Sequence, residues 1–125
     1  MSLSLTPWSD EPTLRQGIVD LKAAADRLEK DGWTQYVYSD FGSCCAAGAV
    51  NVVTSDGTPS ELYDRARKFN SRSSIAMGIF HRMTGGDIAT YNDQPGRTAA
   101  QVIAKIRKVA QDAEAQLARE LAASS

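Results

Sequence analysis

Ser43-Cys44-Cys45-Ala46-Ala47-Gly48-Ala49-Val50-Asn51-Val52-Val53-Thr54 is the segment on which the fold turns. Cys45, Ala46, Ala49, Val50 and Val53 recur at helical spacing, and Ser43 is placed to cap the helix they imply. Ala46, Ala47, Gly48 and Ala49 are all small. Small side chains let a neighbouring helix or loop approach the backbone closely, so this helix is expected at the centre of the molecule.

Longer helices flank it. Upstream, Leu14, Ile18, Leu21, Ala25 and Leu28 are spaced 4, 3, 4 and 3 residues apart, which is one continuous apolar stripe. That helix is expected from Pro12 or Thr13, where proline suits a first turn, to Asp31, with Gly32 as its stop. Trp33 is expected to fold back as core. Downstream, Val102, Ile103, Ile106, Val109, Ala113, Leu117 and Leu121 mark a last helix from Thr98 to about Ala122.

Shorter elements fill the interval. Ser55-Asp56-Gly57-Thr58-Pro59 is a turn cluster. Ser60 then caps a short helix to about Asn70, with Leu62, Ala66 and Phe69 inward, and Ser71 to Ser74 break it. A further helix runs from Ser74 to about Met83 and ends at Gly85-Gly86. Thr34 to Tyr38 is rich in β-formers and reads as an extended linker or one short β segment. Residues 1–11 form an irregular arm that Pro7 and Trp8 can pin to the body. The expectation is therefore a mainly all-α, compact single domain over residues 12–125. It has about five helices, with the first and last as its long walls.

The densest polar connection is Asp87-Ile88-Ala89-Thr90-Tyr91-Asn92-Asp93-Gln94-Pro95-Gly96-Arg97-Thr98. Pro95 fixes its own φ, Gly96 accepts a positive φ, and Thr98 is free to cap the last helix. So many turn and capping residues predict an ordered loop against the body. Tyr91, Asn92, Asp93 and Arg97 are its candidate binding residues. Arg97 has the geometry to hold a carboxylate or phosphate. The structural alternative is that Asn92 and Asp93 satisfy backbone donors while Arg97 pairs with Asp93 or caps carbonyls.

Composition narrows the function classes. An apolar fraction of 42% and a charged fraction of 23% are ordinary for a soluble globular chain. No apolar run approaches membrane-spanning length, and residues 1–10 lack the basic and apolar regions of a secretory signal. A cytoplasmic protein without membrane contact is the expectation. Two adjacent cysteines, Cys44 and Cys45, exclude an intrachain disulfide framework. The net charge of −1 exerts no global pull on nucleic acid. Residues 1–64 carry ten acids against four bases, and residues 65–125 carry ten bases against five acids. The simplest outcome is that the two halves neutralise each other.

Gly32-Trp33-Thr34-Gln35, Cys44 or Cys45 with Ala47-Gly48-Ala49, Ile88-Ala89, Asn92-Asp93, Pro95-Gly96-Arg97-Thr98 and Val102 resemble a family of small actinobacterial and actinophage proteins, domain-of-unknown-function family 6197. The resemblance spans residues 14–110 in order, and Asn-Asp-x-Pro-Gly-Arg-Thr is its most specific piece. It implies a compact, mainly helical cytosolic domain of bacterial or phage origin. It brings no activity, cofactor or catalytic residue. Tyr91 stands where the family usually has another aromatic, often tryptophan, a swap that keeps a buried ring face and a polar tip.

Three functions follow as expectations. The preferred one is a non-enzymatic binding or accessory protein that engages another protein. The second is a cysteine-dependent hydrolase or transferase, because Cys44 or Cys45, His81 and Asn92 or Asp93 fall in the chain order of papain-like enzymes. Against it stand the short cysteine-to-histidine spacing, the helical setting of His81 and the apolar face that holds Cys45. The third is nucleic-acid binding through Arg65, Lys68, Arg72 and Arg82, where the first three share a face at helical spacing. One histidine with two adjacent cysteines is not a zinc pattern, and Asp87 with Asp93 more naturally serves turns and caps. No metal or cofactor is expected. The alanine-rich end of the last helix offers a surface for a homodimer.

Overall fold

The computed structural model describes residues 10–40, 42–55 and 62–124. Six helices form the body. Helix α1 is Glu11–Asp31, α2 Ala46–Thr54, α3 Leu62–Arg67, α4 Ser71–Thr84, α5 Ile88–Asn92 and α6 Ala99–Ser124. The strands β1, Ser39–Asp40, and β2, Ser43–Cys44, pair antiparallel with Ser39 opposite Cys44. The expected arm at Pro7 and Trp8, the turn at 56–59 and the cap at Ser60 lie outside the described residues.

The long walls form as their periodicity dictates. Leu14, Ile18, Leu21, Ala25 and Leu28 of α1 are all buried, as are Val102, Ile106, Val109, Ala113 and Leu117 of α6. The two helices run antiparallel and share the largest interface in the molecule, while α1 also covers α2 and α4. Gly17 of α1 allows α4 to approach, since a Cβ there would lie 2.6 Å from Ile79 Cδ1. At the centre, α2 is buried on nearly every side, from Ala46 through Val52. Ion pairs also join the two halves of the sequence. Arg107 pairs with Asp26 and Glu29, Lys22 with Glu114, and Arg72 with the buried Asp20.

Several boundaries differ from the sequence expectation, each for a local reason. Ser43 does not cap α2. Cys44 N donates to Gly32 O at 3.2 Å and Thr34 N donates to Cys44 O at 3.0 Å, which holds residues 43–44 extended. The cap is Cys45, whose Sγ accepts from Gly48 N at 3.3 Å. The short β segment falls at 39–40 and 43–44, while 35–38 bends. Ser71 to Ser74 open a helix and do not break one. Asn70 Oδ1 accepts from Ser73 N at 2.9 Å, and Ser73 Oγ accepts from Asn70 N at 2.8 Å, a reciprocal capping box. The polar loop contains one helical turn, α5, with Asp87 as its cap. The helices therefore number six among the described residues, where about five were expected. Phe69, expected inward, is half exposed and meets Tyr38 edge to face at 5.9 Å between ring centroids.

Candidate functional site

The polar loop docks on the body through one side chain. Asn92 ends α5 and is fully buried. Its Oδ1 accepts from Trp33 Nε1 at 2.6 Å and from Ala46 N at 2.9 Å. Its Nδ2 donates to Thr34 O at 3.2 Å and to Asp93 Oδ1 at 2.8 Å. Asn92 thereby satisfies the otherwise orphaned first amide of α2 and pins the segment that follows α1. Gln35 closes the same clasp from the other side, with Nε2 donating to the carbonyls of Asn92 and Gln94 at 3.1 and 3.0 Å.

Asp93 and Arg97 extend the clasp in different directions. Asp93 Oδ1 also accepts from Tyr36 N at 2.9 Å. Arg97 does not pair with Asp93. Its Nε donates to Tyr91 O at 3.0 Å, its Nη2 donates to Gln94 Oε1, and its guanidinium lies 3.8 Å from the Tyr91 ring centroid. The Tyr91 ring also meets Phe80 edge-on at 6.0 Å. Thr98 caps α6 as the sequence suggests: Gln101 N donates to its Oγ at 3.2 Å, and its own N donates to Gln101 Oε1 at 3.0 Å.

Beside the clasp lies an exposed apolar rim. Tyr36 is 66% exposed, Phe69 50%, Val37 47% and Tyr38 36%. Among the described residues these are four of the five large apolar side chains that stand markedly in solvent, the other being Val19. Tyr36 sits at φ 71°, a left-handed conformation uncommon for a bulky residue, and Asp93 holds its amide there. Gly48 lets the rim lie directly on α2. A Cβ at Gly48 would fall 2.2 Å from Tyr38 O, the acceptor of the Cys45 N–H at 3.2 Å. A cavity of about 150 Å³ opens here, lined by Tyr36, Val37 and Tyr38, by Cys45 and Ala47 of α2, and by Ala89 and Asp93.

The residues of the papain-like order are placed as follows. Cys44 and Cys45 are buried, and burial pushes both thiols above the ordinary thiol range. At Cys45 that burial outweighs the hydrogen bond from Gly48 N, although a helix N-terminus usually favours thiolate. Asn92 and Cys45 are neighbours through Ala46, but both ends of the Asn92 amide are engaged elsewhere. His81 is exposed near the end of α4 and shares no hydrogen bond with either residue among those described.

The basic residues do not form one helical face, because α3 ends at Arg67 and α4 begins at Ser71. Arg65 donates to Ser55 Oγ and Val52 O at the end of α2. Arg72 holds the buried Asp20 at 2.7 Å. Lys68 and Arg82 are exposed. Asp87 spends both carboxylate oxygens on the cap of α5, at Ala89 N and Thr90 Oγ. No group of three histidines, cysteines or carboxylates able to hold a metal occurs among the described residues. No helix among them is long and apolar enough to cross a membrane.

Gly32 to Gln35, Cys45 to Ala49 and Asn92 to Thr98 thus meet in one clasp, and a family profile covers residues 18–112. The chain belongs to a family of unknown function, DUF6197. The match runs from α1 into the middle of α6, so the clasp lies wholly within the DUF6197 region. No curated protein and no solved structure matches the chain.

Sequence reasoning missed the role of Trp33 and Gln35 as partners of Asn92, and it missed the rim. The aromatics at 36 and 38 were visible as β-formers, but nothing in their spacing separates a solvent-facing ring from a core one. Asn51, fully buried with Nδ2 donating to Ala66 O at 2.8 Å, carried no signal either.

Proposed function

We propose that this chain is a single-domain, non-enzymatic binding module that engages another protein through the rim of Tyr36, Val37, Tyr38 and Phe69. The DUF6197 resemblance to actinobacterial and phage proteins supports a cytoplasmic accessory role of bacterial or phage origin. The observation that carries the reading is the concentration of exposed apolar side chains on residues 36–38, with Phe69 against them. Contiguous apolar surface costs solubility and is usually retained where it meets a partner. The locked backbone adds to this. A bulky residue held in the left-handed region stores strain, and such strain gathers at sites of recognition.

The test is quantitative capture from a bacterial lysate by the immobilised chain, compared with Tyr36→Gly and Phe69→Ser. Glycine relieves the left-handed strain at position 36, so Tyr36→Gly should leave thermal stability equal or raised by about 1 kcal/mol. A protein retained by the native chain and lost with both variants supports the reading. Capture that is indifferent to the rim, or no specific capture, refutes it.

A further inference from the structure

We infer that the cavity beside the rim receives a cationic side chain, lysine or arginine, from the docking partner; the inference rests on the binding reading above. The cavity is bordered by one carboxylate, Asp93, and by the two tyrosines 36 and 38, and no cationic residue lines it. Asp93 Oδ1 is fixed by Tyr36 N and Asn92 Nδ2. Among the described residues Oδ2 has no hydrogen-bond partner and the carboxylate no cation. Arg97, the base nearest to it in sequence, is engaged at Tyr91 and Gln94 instead. A carboxylate held rigidly and left without a counter-charge, next to tyrosine rings, is a receptor for a cation. Tyrosine rings attract a cation, and a carboxylate accepts its hydrogen.

The size of the space fits the same occupant. About 150 Å³ is well below the several hundred typical of sites for drug-sized ligands. It suits a linear aliphatic stem, whose methylenes lie on Val37 and Ala47 while the charged head stays at the polar edge. A phosphate or carboxylate ligand would meet Asp93 as a like charge.

The experiment is amide-resolved NMR titration of the whole chain with N-acetyl-lysine N-methylamide and with its uncharged counterpart, N-acetyl-norleucine N-methylamide. The lysine derivative is expected to shift the amides of Tyr36, Val37, Tyr38, Ala47 and Ala89. It should bind about tenfold more tightly than norleucine at low salt, with the advantage shrinking as salt rises. Asp93→Asn retains the Oδ1 acceptor for Tyr36 N and should reduce the lysine affinity to the norleucine level. Tyr38→Leu should lower it several-fold while leaving norleucine binding intact. Equal binding of the two derivatives to the native chain overturns charge recognition and leaves the apolar docking surface standing. Absence of shifts at these amides from the lysine derivative overturns the inference as well. The docking reading itself fails on a separate result, lysate capture that is absent or that ignores the rim.

Discussion

Asn92→Ala tests the organisation of the molecule most directly. The substitution strands Ala46 N, Thr34 O and Trp33 Nε1, which now use the Asn92 amide. Trp33 is only partly buried and can turn to water, whereas the amide of Ala46 is covered by the core. A buried group left unpaired costs about 1–3 kcal/mol. The Ala46 amide, together with the void left by the truncated side chain, amounts to about 3 kcal/mol, since Thr34 is partly exposed as well. That is a large share of a total on the order of 5–15 kcal/mol. Spread over an unfolding entropy of about 2.1 cal/mol/K per residue, it lowers Tm by about 11 °C. Urea unfolding followed by tryptophan fluorescence and circular dichroism measures it.

Asn92→Asp separates lost hydrogen bonds from lost volume. The Oδ1 acceptor survives, but the former Nδ2 position becomes a carboxylate oxygen facing Thr34 O and Asp93 Oδ1. Burial and these two acceptors raise the folded pKa of the new carboxyl above its unfolded value. Its proton is then held more tightly in the folded state. The penalty therefore grows as pH rises above the unfolded value and fades as pH falls. The gap from the native chain should narrow between pH 7 and pH 4 for the aspartate variant and stay constant for the alanine variant. A loss under about 1 kcal/mol for alanine, or no pH dependence for aspartate, would refute Asn92 as the pin.

Three further predictions address the rim and the thiols. Gly48→Ala gains about 1 kcal/mol of helix propensity but drives a Cβ to 2.2 Å from Tyr38 O, a backbone atom that must retreat by about 1 Å. The clash should prevail by about 1–3 kcal/mol, with faster hydrogen exchange at Cys45 N–H; an equal or higher denaturation midpoint would contradict the packing. Native Cys44 and Cys45 should alkylate at least about tenfold more slowly at neutral pH than in denaturant, because burial keeps both thiols protonated. Rapid alkylation of either would restore the hydrolase reading. The raised thiol pKa values also mean that stability falls as pH climbs past the unfolded thiol range, so Cys44→Ala/Cys45→Ala should show a shallower alkaline decline.

What the sequence disclosed was whatever depends on near neighbours. The stripe of α1 and that of α6 follow from a period of 3.6 residues, and every α1 stripe position is buried. The central position of α2 was legible because small residues carry their own reason, close approach. Thr98 as the cap of α6 was legible for the same reason, since cap and capped amide lie three residues apart, while the return bond from Gln101 was not read. The box at Asn70 and Ser73 was equally local and was misread only because serines also terminate helices. The clasp is different in kind. Asn92 meets Trp33 across 59 residues and Ala46 across 46. A loop asparagine looks the same whether it serves its own turn or a distant helix, and no periodicity reports a pairing of that range.

The same geometry divides structure from function within the resembling residues. Trp33, Gln35, Asn92 and Arg97 are occupied inside the clasp, and their resemblance to the family is accounted for by architecture. Asp93 is the exception, because its Oδ1 belongs to the clasp while the residue also lines the cavity. A clasp built only for stability has no need to hold Tyr36 at φ 71° with its ring in water; a bend of Gly or Asn would close at lower cost. The strain and the exposed ring are explained together if the clasp exists to present the rim, which is the argument for the proposed recognition at Tyr36, Tyr38 and Asp93 over one at the buried thiols.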